Sequence, residues 1–244
     1  MQAISLPSDT IDPRPYFPTV NEIAPNAASG AHDLTDSAVG LLRVTAPVTW
    51  GRAVLVPLLP AFLANHPRVR LQLTLLDRAV DLASEGYDLA IRLTPALPEG
   101  MVARRLAPLD YVACAAAKPK IRVRSPEDLA TVPCLVYGEG DLHATWRFRD
   151  RTGRIQRVKV QGPLMINDGE AILRATQAGV GVAVLPRYLA GEALRDGSLR
   201  ELLPTWTPLP PVGAEPHVLW LRDRYQPLKA RLFIDHLLAR LRVD

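Results

Sequence analysis

The sequence predicts an α/β fold, because strand-like and helix-like segments alternate along most of its length. From Gly40 onward, short apolar runs are separated by windows whose apolar residues recur with helical periodicity. This order is typical of βαβ units and of a largely parallel sheet. With 244 residues, the chain can form one large domain or two lobes of roughly 100 residues each.

The first unit begins with GLLRVTAP at 40–47, whose apolar character indicates a buried strand. A helix is predicted over 51–66, with a late start or a kink near Pro57, because a proline deep inside a helix costs about 3 kcal/mol. At 69–75 apolar and polar residues alternate, which indicates a strand with one wetter face. A short helix around 79–84 then leads into the third strand, YDLAIRLT.

The middle of the chain begins with the strand-rich stretch MVARRLAPLDYVACAAA. SPEDLA at 125–130 indicates a helix start, with Ser125 as the cap and Asp128 at the third position. CLVYG predicts a further strand. TWRFRD and RIQRVKVQG flank a turn at 150–153 and predict a β-hairpin.

The last third continues the alternation. PLMI precedes a helix over NDGEAILRATQAG that ends at Gly179, and VGVAVLP and RYLAGEALRDG predict a strand and a helix that ends at Gly197. TPLPPVGAEP at 207–216 is rich in proline and predicts a connector without regular structure. PHVLWLR and PLKARLFIDHLLARL predict the final strand and helix.

Residues 1–39 differ from the rest in composition. Five prolines exclude a helix of useful length there, so we predict an extended or disordered tail. The tail carries a net charge of −4 and the remainder +8. In the remainder, arginines stand singly among apolar residues, which favours a solvated basic surface over a nucleic-acid contact. Neither a signal peptide nor about 18 consecutive apolar residues is present, so we expect a cytoplasmic protein.

Catalytic, metal and cofactor motifs are missing from the sequence. It contains no G-x-S-x-G, H-E-x-x-H or P-loop pattern, and its five histidines lack metal-ligand spacing. Cys114 and Cys134 lie in apolar strand-like runs and are interpreted as small buried thiols. We therefore expect no enzyme, no cofactor and no metal site.

Ligand-binding candidates come from loops at the carboxyl ends of strands, where helix N-termini offer free amides. The loop at 47–50 either cradles a small acid, with Thr49 as the hydroxyl donor, or is a simple turn that Thr49 caps. Arg92 either faces the ligand or forms an ion pair at the end of its strand. The candidate set is Pro47, Val48, Thr49, Trp50, Arg92, Thr94, Tyr137, Trp146, Asn167 and Asp168.

Two members of this set have strong alternative interpretations. Capping of the following helix by Asn167 or Asp168 would account for both residues. Trp146 lies on a predicted hairpin strand, where alternation favours core packing over a place in a pocket.

Several long segments together resemble the effector-binding domain of LysR-type transcriptional regulators. They are GLLRVTAPVTWGRAVLVPLLPAFLANHPRVRLQLTLLDRAVDLASEGYDLAIRL, VARRLAPLDYVACA, WRFRDRTGR and NDGEAILRATQAGVGVAVLPRYL, and with the closing helix they cover about residues 40–242. The resemblance implies two Rossmann-like lobes of the type 2 periplasmic-binding-protein kind, joined by two crossover strands, with an inducer in the cleft. The loop at 47–50, Thr94 and the helix start at Asn167 match stretches that face this cleft in the family.

The resemblance also implies a domain organisation and partners. Lobe I would comprise 40–113, completed by 214–244, and lobe II 114–213, with crossovers near 110–114 and 213–218. A homodimer would form through the strand at 69–75 and the helix at 51–66. The proline-broken tail is too short for the family's helix-turn-helix, so we expect DNA contact only through a domain that this chain lacks.

The leading hypothesis is therefore an effector-sensing domain that binds a small carboxylate or aromatic acid between its lobes. A solute-binding protein of a transporter would use the same fold, although the absence of an export signal counts against it. A small enzyme on this scaffold is a third possibility, for which a catalytic cluster is missing.

Overall fold

The structure of the chain is a computed structural model, which describes residues 38–94, 98–118, 120–138, 144–210 and 215–241. The predicted tail at 1–39 lies almost wholly outside these residues. The predicted alternation of strands and helices is present, arranged as two five-stranded sheets and one three-stranded sheet.

The first sheet is the central sheet of lobe I. Its strands are β1 (Gly40–Ala46), β2 (Val69–Leu75), β3 (Leu89–Thr94), β4 (Met101–Arg105) and β13 (Glu215–Leu221). They lie in the order β2-β1-β3-β13-β4. β1 is parallel to β2 and β3, whereas β13 is antiparallel to β3 and β4.

The second and third sheets form lobe II. Their strands are β5 (Tyr111–Ala116), β6 (Cys134–Tyr137), β7 (Thr145–Arg149), β8 (Ile155–Lys159), β9 (Leu164–Ile166), β10 (Val182–Pro186), β11 (Leu199–Leu202) and β12 (Thr207–Leu209). The second sheet has the order β11-β5-β10-β6-β9, and the third, β12-β7-β8, contains the predicted hairpin.

The chain passes from lobe I to lobe II across 106–110, and β13, which begins at Glu215, belongs to the sheet of lobe I again. The division into these lobes remains a proposal, with one adjustment to its first boundary. All of β5 pairs within the second sheet, so we place that boundary before Tyr111 rather than after residue 113.

The helical segment 48–65 covers one face of the lobe I sheet and is irregular at its prolines. It consists of α1 (Val48–Trp50), a π-helical turn (Gly51–Leu55), a 3-10 turn (Val56–Leu58) and α2 (Leu59–Asn65). Near Pro57 the segment changes from π-helical to 3-10 and then to α-helical hydrogen bonding, and the helix begins at Val48 rather than late. The missing proline N–H is accommodated by the change of helical hydrogen bonding.

This segment is long and apolar enough, by length and composition, to cross a membrane. Trp50, Leu55 and Phe62 are nevertheless buried in the core of lobe I. A helix that covers a sheet accounts for this pattern.

The remaining helices close the two cores. α5 (Leu228–Leu241) packs on lobe I, where Phe233 contacts Phe62 edge to face with ring centroids 5.0 Å apart. In lobe II, α3 (Gly169–Gln177) and α4 (Arg187–Arg195) bury Ile172 and Ala190 against the second sheet. The predicted helix at 125–130 is a short 3-10 helix, and its capping box at Ser125 is confirmed.

Two local predictions are wrong. Residues 79–81 have no regular structure and 82–84 form a turn instead of a helix, because the Asp81 carboxylate accepts hydrogen bonds from the backbone N–H groups of Ala83 and Ser84. In the predicted irregular connector, Thr207–Leu209 is strand β12 and pairs with β7. Proline is tolerated there because β12 lies at the edge of its sheet.

We expect Gly162→Ala to lower the free energy of unfolding by about 2 kcal/mol or more, because an added Cβ would overlap the backbone of Cys134. Chemical denaturation followed by circular dichroism measures this change. Gly191→Ala is the control, because the nearest group to its added Cβ is the Arg195 guanidinium at 4.0 Å. In helix α4 that control should gain about 0.5–1 kcal/mol. Equal effects of both substitutions would contradict the close approach at Gly162.

Candidate functional site

A cavity of about 290 Å³ lies where the two lobes face each other. Lobe I contributes residues that follow β1 and β2 and the end of β3, and lobe II contributes the start of β5, the end of β6, β10, the starts of α3 and α4, and Pro210. The lining residues of lobe I are Pro47, Thr49, Trp50, Leu76, Asp77, Arg92 and Leu93. Those of lobe II are Tyr111, Tyr137, Gly169, Val184, Leu185, Pro186, Tyr188, Leu189 and Pro210. The wall is mostly apolar with a few polar groups, as is usual for sites that bind small molecules.

The loop after β1 is fixed by the end of β2. The Val48 N–H donates to the Asp77 carboxylate at 3.0 Å, and the Leu76 N–H donates to the Ala46 carbonyl at 2.9 Å. The carboxylate therefore satisfies one of the N–H groups that the start of a helix leaves unpaired. Together these bonds hold Thr49 at the cavity wall.

Thr49 also lies near the start of α3 in lobe II. A Cβ added to Gly169 would lie 3.5 Å from the Thr49 Oγ and 3.1 Å from a methyl group of Leu189. Gly169 is the first residue of α3, so this helix starts almost against the loop of lobe I. An alanine at 169 would press on Leu189 of the same lobe and would touch Thr49 at an ordinary van der Waals distance.

Arg92 is the one arginine or lysine side chain in the described wall of the cavity. Its guanidinium donates one hydrogen bond to the Thr45 hydroxyl at 3.1 Å and another to the backbone carbonyl of Ile91 at 2.7 Å. Burial lowers the pKa of Arg92, partly offset by the charge of Asp77, but a guanidinium stays protonated. Among the described residues, no carboxylate lies within the 4.0 Å of an ion pair with Arg92. The predicted alternative of an ion pair at this strand end is therefore absent from the described residues.

Three tyrosines supply phenol groups to the cavity. Burial raises the pKa of Tyr111 to about 12, and the nearby Tyr137 adds to the effect. Burial, together with the charge of Asp77, also raises the pKa values of Tyr137 and Tyr188. All three phenols are therefore neutral near pH 7 and can donate hydrogen bonds to a bound anion.

Half of the candidate residues lie at this cavity. Pro47, Thr49, Trp50, Arg92 and Tyr137 line it. Val48 is adjacent and contributes its backbone N–H to Asp77 rather than a side chain to the wall.

The other four candidates lie outside the lining. Trp146 is only 5% exposed and packs in the core beneath the third sheet, because even-numbered residues of β7 face inward. The Asp168 carboxylate caps α3 by accepting from the Ala171 N–H at 2.8 Å, and Asn167 is exposed beside it. Thr94 ends β3 opposite Glu215. Trp146 thus takes the core-packing alternative and does not line this cavity, and capping accounts for Asp168.

Four polar or small residues of the wall are absent from the predicted candidate set. Asp77 follows β2 and so satisfies the same strand-end rule that selected the loop at 47–50. Tyr111, Tyr188 and Gly169 come from lobe II, and only the close packing of the lobes brings them to the cavity. No local pattern in the sequence indicates that they meet.

The two cysteines are isolated from the cavity and from each other. Cys114 belongs to the core beneath α3 and α4, whereas Cys134 belongs to the core beneath the third sheet. Burial raises the pKa of each thiol to about 12, so neither is a reactive thiolate near pH 7. The described residues also contain no group of three or more metal-ligating side chains.

Two α/β lobes around a mostly apolar cavity with one arginine define a ligand-binding domain of the periplasmic-binding-protein type. The family model for the LysR substrate binding domain matches residues 35–242. The chain therefore belongs to the LysR family of transcriptional regulators and contains the effector-binding domain of that family.

Relatives and solved structures agree with this assignment. The chain is 32% identical over 219 residues to the probable HTH-type transcriptional regulator LtrA of Klebsiella pneumoniae, covering 88% of this chain and 71% of that protein. It is 32% identical over 216 residues to PtxR of Pseudomonas aeruginosa, covering 86% and 67%. CrgA from Neisseria meningitidis, a LysR-type regulator, matches at 25% identity with a TM-score of 0.71, covering 84% of this chain and 69% of CrgA. The effector domain of AmpR from Pseudomonas aeruginosa shares the fold, with a TM-score of 0.66 at 24% identity, over 82% of this chain and 94% of that one.

These findings decide between the functions that the sequence left open. The family is one of transcriptional regulators, which bind small-molecule effectors and form oligomers, and it is not a family of transporter components. The relatives are regulators rather than enzymes.

We expect the stability of the folded chain to fall as the pH rises above 10, in part because of Tyr111. The unfolded phenol loses its proton near pH 10, whereas the folded one keeps it until about pH 12. Its contribution to stability is therefore complete below pH 10 and is lost as the pH rises through 12, with a slope of up to about 1.4 kcal/mol per pH unit.

Urea unfolding at a series of pH values on either side of 10 tests this linkage. Tyr111→Phe should flatten the decline, whereas Tyr225→Phe should leave it unchanged, because Tyr225 is 81% exposed. An unchanged slope in Tyr111→Phe would show that this phenol titrates normally.

Proposed function

We propose that the effector is a small aromatic or carboxylic acid with a single anionic group, bound in the cavity between the lobes. The observation that carries this proposal is Arg92, a half-buried cation without a carboxylate partner among the described residues. A bound carboxylate would pair with the guanidinium, and charge-assisted hydrogen bonds of this kind are the stronger ones. Asp77 in the same wall would repel a second anionic group on the ligand.

The rest of the wall suits an aromatic or aliphatic body. Trp50, Leu93, Val184 and Leu189 supply apolar surface, and the cavity volume of about 290 Å³ suits a small molecule. The neutral phenol of Tyr111 is a hydrogen-bond donor that costs nothing in charge repulsion against an acid. The proposed contact set is therefore Pro47, Thr49, Trp50, Asp77, Arg92, Tyr111, Tyr137 and Tyr188.

Signalling follows from contact with both lobes at once. Arg92 belongs to lobe I and Tyr188 to lobe II, so a ligand that contacts both is bound best at one angle between the lobes. A ligand with equal affinity for all angles would shift no population, and a switch from 1:99 to 99:1 needs about 5.5 kcal/mol of preference. We propose that this shift in lobe angle is the signal that reaches transcription.

We expect benzoate and phenylacetate to raise the melting temperature of the chain, and the matching neutral amides to have little effect. Arg92→Gln should weaken acid binding about 10- to 100-fold, because a charge-assisted hydrogen bond is worth about 1.5–3 kcal/mol. Thermal shift identifies binders, and isothermal titration calorimetry measures their affinities.

The matched control is Arg104→Gln, which removes an exposed arginine from β4 in the same sheet. Acid binding that is equally strong in Arg92→Gln would refute the proposed contact. Stronger binding of a dicarboxylate such as phthalate would contradict the single-anion proposal.

We also propose that the chain forms a homodimer through lobe I. β2 lies at the edge of its sheet, and the helical segment beside it leaves Val56 43% and Leu63 36% exposed. An edge strand next to exposed apolar side chains is a surface that a second copy can cover. A cytoplasmic location is proposed with it, because a transcriptional regulator acts where the DNA is.

Val56→Asp is expected to shift the chain from dimer to monomer in sedimentation velocity, because a buried unpaired carboxylate would destabilise the interface. Ile155→Asp is the control, since the Ile155 side chain is also exposed, at 50%, but lies on lobe II. Dissociation by Ile155→Asp alone would assign the interface to lobe II.

A further inference from the structure

The outer face of the third sheet carries a cluster of basic side chains. Along β7, Trp146 and Phe148 pack into the core, which places Arg147 and Arg149 on the opposite face. Along β8, Val158 packs into the same core, so Arg157 and Lys159 face outward as well. We call Arg147, Arg149, Arg157 and Lys159 the basic face.

The register of the hairpin brings like charges together. Arg147 lies directly opposite Arg157, and Lys159 lies opposite Thr145. Like charges at such positions oppose each other, because the two Cβ atoms are only about 4.5–5.5 Å apart. β12 adds Thr207 and Leu209 to this face but no acid.

The basic face is open and lacks local neutralisation. Arg149, Arg157 and Lys159 are exposed, and none of them has an ion pair within 4.0 Å among the described residues. Arg147 is half-buried, and its guanidinium donates to the Pro210 carbonyl at 2.9 Å. An unneutralised cluster of this kind attracts an external anion.

We infer that the basic face binds the phosphate backbone of double-stranded DNA. Cations at alternate residues of one strand are about 6.8 Å apart, and neighbouring strands are about 4.8 Å apart. DNA presents one negative charge per about 1.7 Å of helix axis, a density that can engage all four cations together. Arginine forks also match phosphate geometry in two hydrogen bonds, and three of the four residues are arginines.

The family assignment supplies the second reason for DNA as the partner. The relatives are HTH-type transcriptional regulators, so the effector-binding domain of such a protein works beside bound DNA. A surface held close to a duplex binds it at a high effective concentration, even when its own affinity is weak. This interaction does not depend on the cleft or its ligand, and it departs from the sequence-based expectation that DNA is contacted only through a helix-turn-helix.

Backbone contacts of this kind carry no base specificity and depend strongly on salt. We therefore expect the chain to bind a short duplex of arbitrary sequence, with log affinity falling linearly as log salt rises. Each phosphate contact contributes about 0.9 to that slope. Fluorescence anisotropy of a labelled duplex over a series of salt concentrations measures both quantities.

The test compares two variants that lose the same charge. Arg149→Ala/Arg157→Ala/Lys159→Ala removes three cations of the basic face, and Arg222→Ala/Arg224→Ala/Arg231→Ala removes three exposed cations from lobe I. The first variant should lower the slope by about 2.7 and weaken binding about tenfold or more, whereas the second should change both little. Circular dichroism confirms that each variant is folded.

Arg157→Glu gives an independent result. It should weaken DNA binding and also raise the melting temperature at low salt, because a carboxylate would then lie opposite Arg147. Equal losses in the two triple variants would show diffuse attraction by net charge and overturn the proposal. Binding of a polyglutamate peptide without binding of the duplex would overturn it in favour of an acidic protein partner, and binding of neither would overturn it outright.

Discussion

The wall of the cleft depends on one hydrogen bond between strand ends, from the Val48 N–H to the Asp77 carboxylate. Both groups follow parallel strands, β1 and β2, whose carboxyl ends meet at the same edge of the sheet. The bond pairs an N–H that a helix start would otherwise leave free, and it fixes the loop that carries Thr49 and Trp50. Without it, the Leu76 N–H to Ala46 carbonyl bond alone would join the two strand ends, and the loop would be held less firmly.

The same carboxylate contributes to the electrostatics of the cavity, where burial is the larger cause of the pKa shifts. Its charge acts on Arg92 and on the phenols of Tyr137 and Tyr188, whose pKa values it raises in addition to burial. The cavity therefore contains one fixed cation, one fixed anion and several neutral donors. Such a set discriminates by the number and placement of charges on a ligand, in addition to its shape.

Sequence patterns predicted most strands and helices, because the periodicity of buried residues is local information. The failures have local physical causes of another kind. At Asp81 a side-chain carboxylate competes with the helix for backbone N–H groups, and at Pro208 an edge strand tolerates a residue that normally excludes pairing. Neither effect changes hydrophobic periodicity, so a periodicity argument misses both.

The candidate site was predictable on one side only. The strand-end rule selected Thr49 and Arg92 in lobe I and would have selected Asp77 if applied to β2. It could not select Tyr111, Tyr188 or Gly169, because their approach to lobe I depends on the packing of the two lobes. A single sequence, taken without an alignment of its relatives, carries no record of which distant residues share a cavity.

The basic face shows why the spacing of cations along a sequence underestimates the density of charge on the surface of a sheet. In TWRFR and RVK, each cation is separated from the next by an apolar residue, which looks like dispersal. Because successive residues of a strand point to opposite faces, the apolar residues between them are removed to the core and the cations are brought together. Pairing with the neighbouring strand then doubles the density, since Arg147 and Arg157 share one register position. The alternation of apolar and polar residues that indicates a half-buried strand can therefore also concentrate charge on the exposed face of that strand. It does so when the exposed polar residues all carry charge of the same sign.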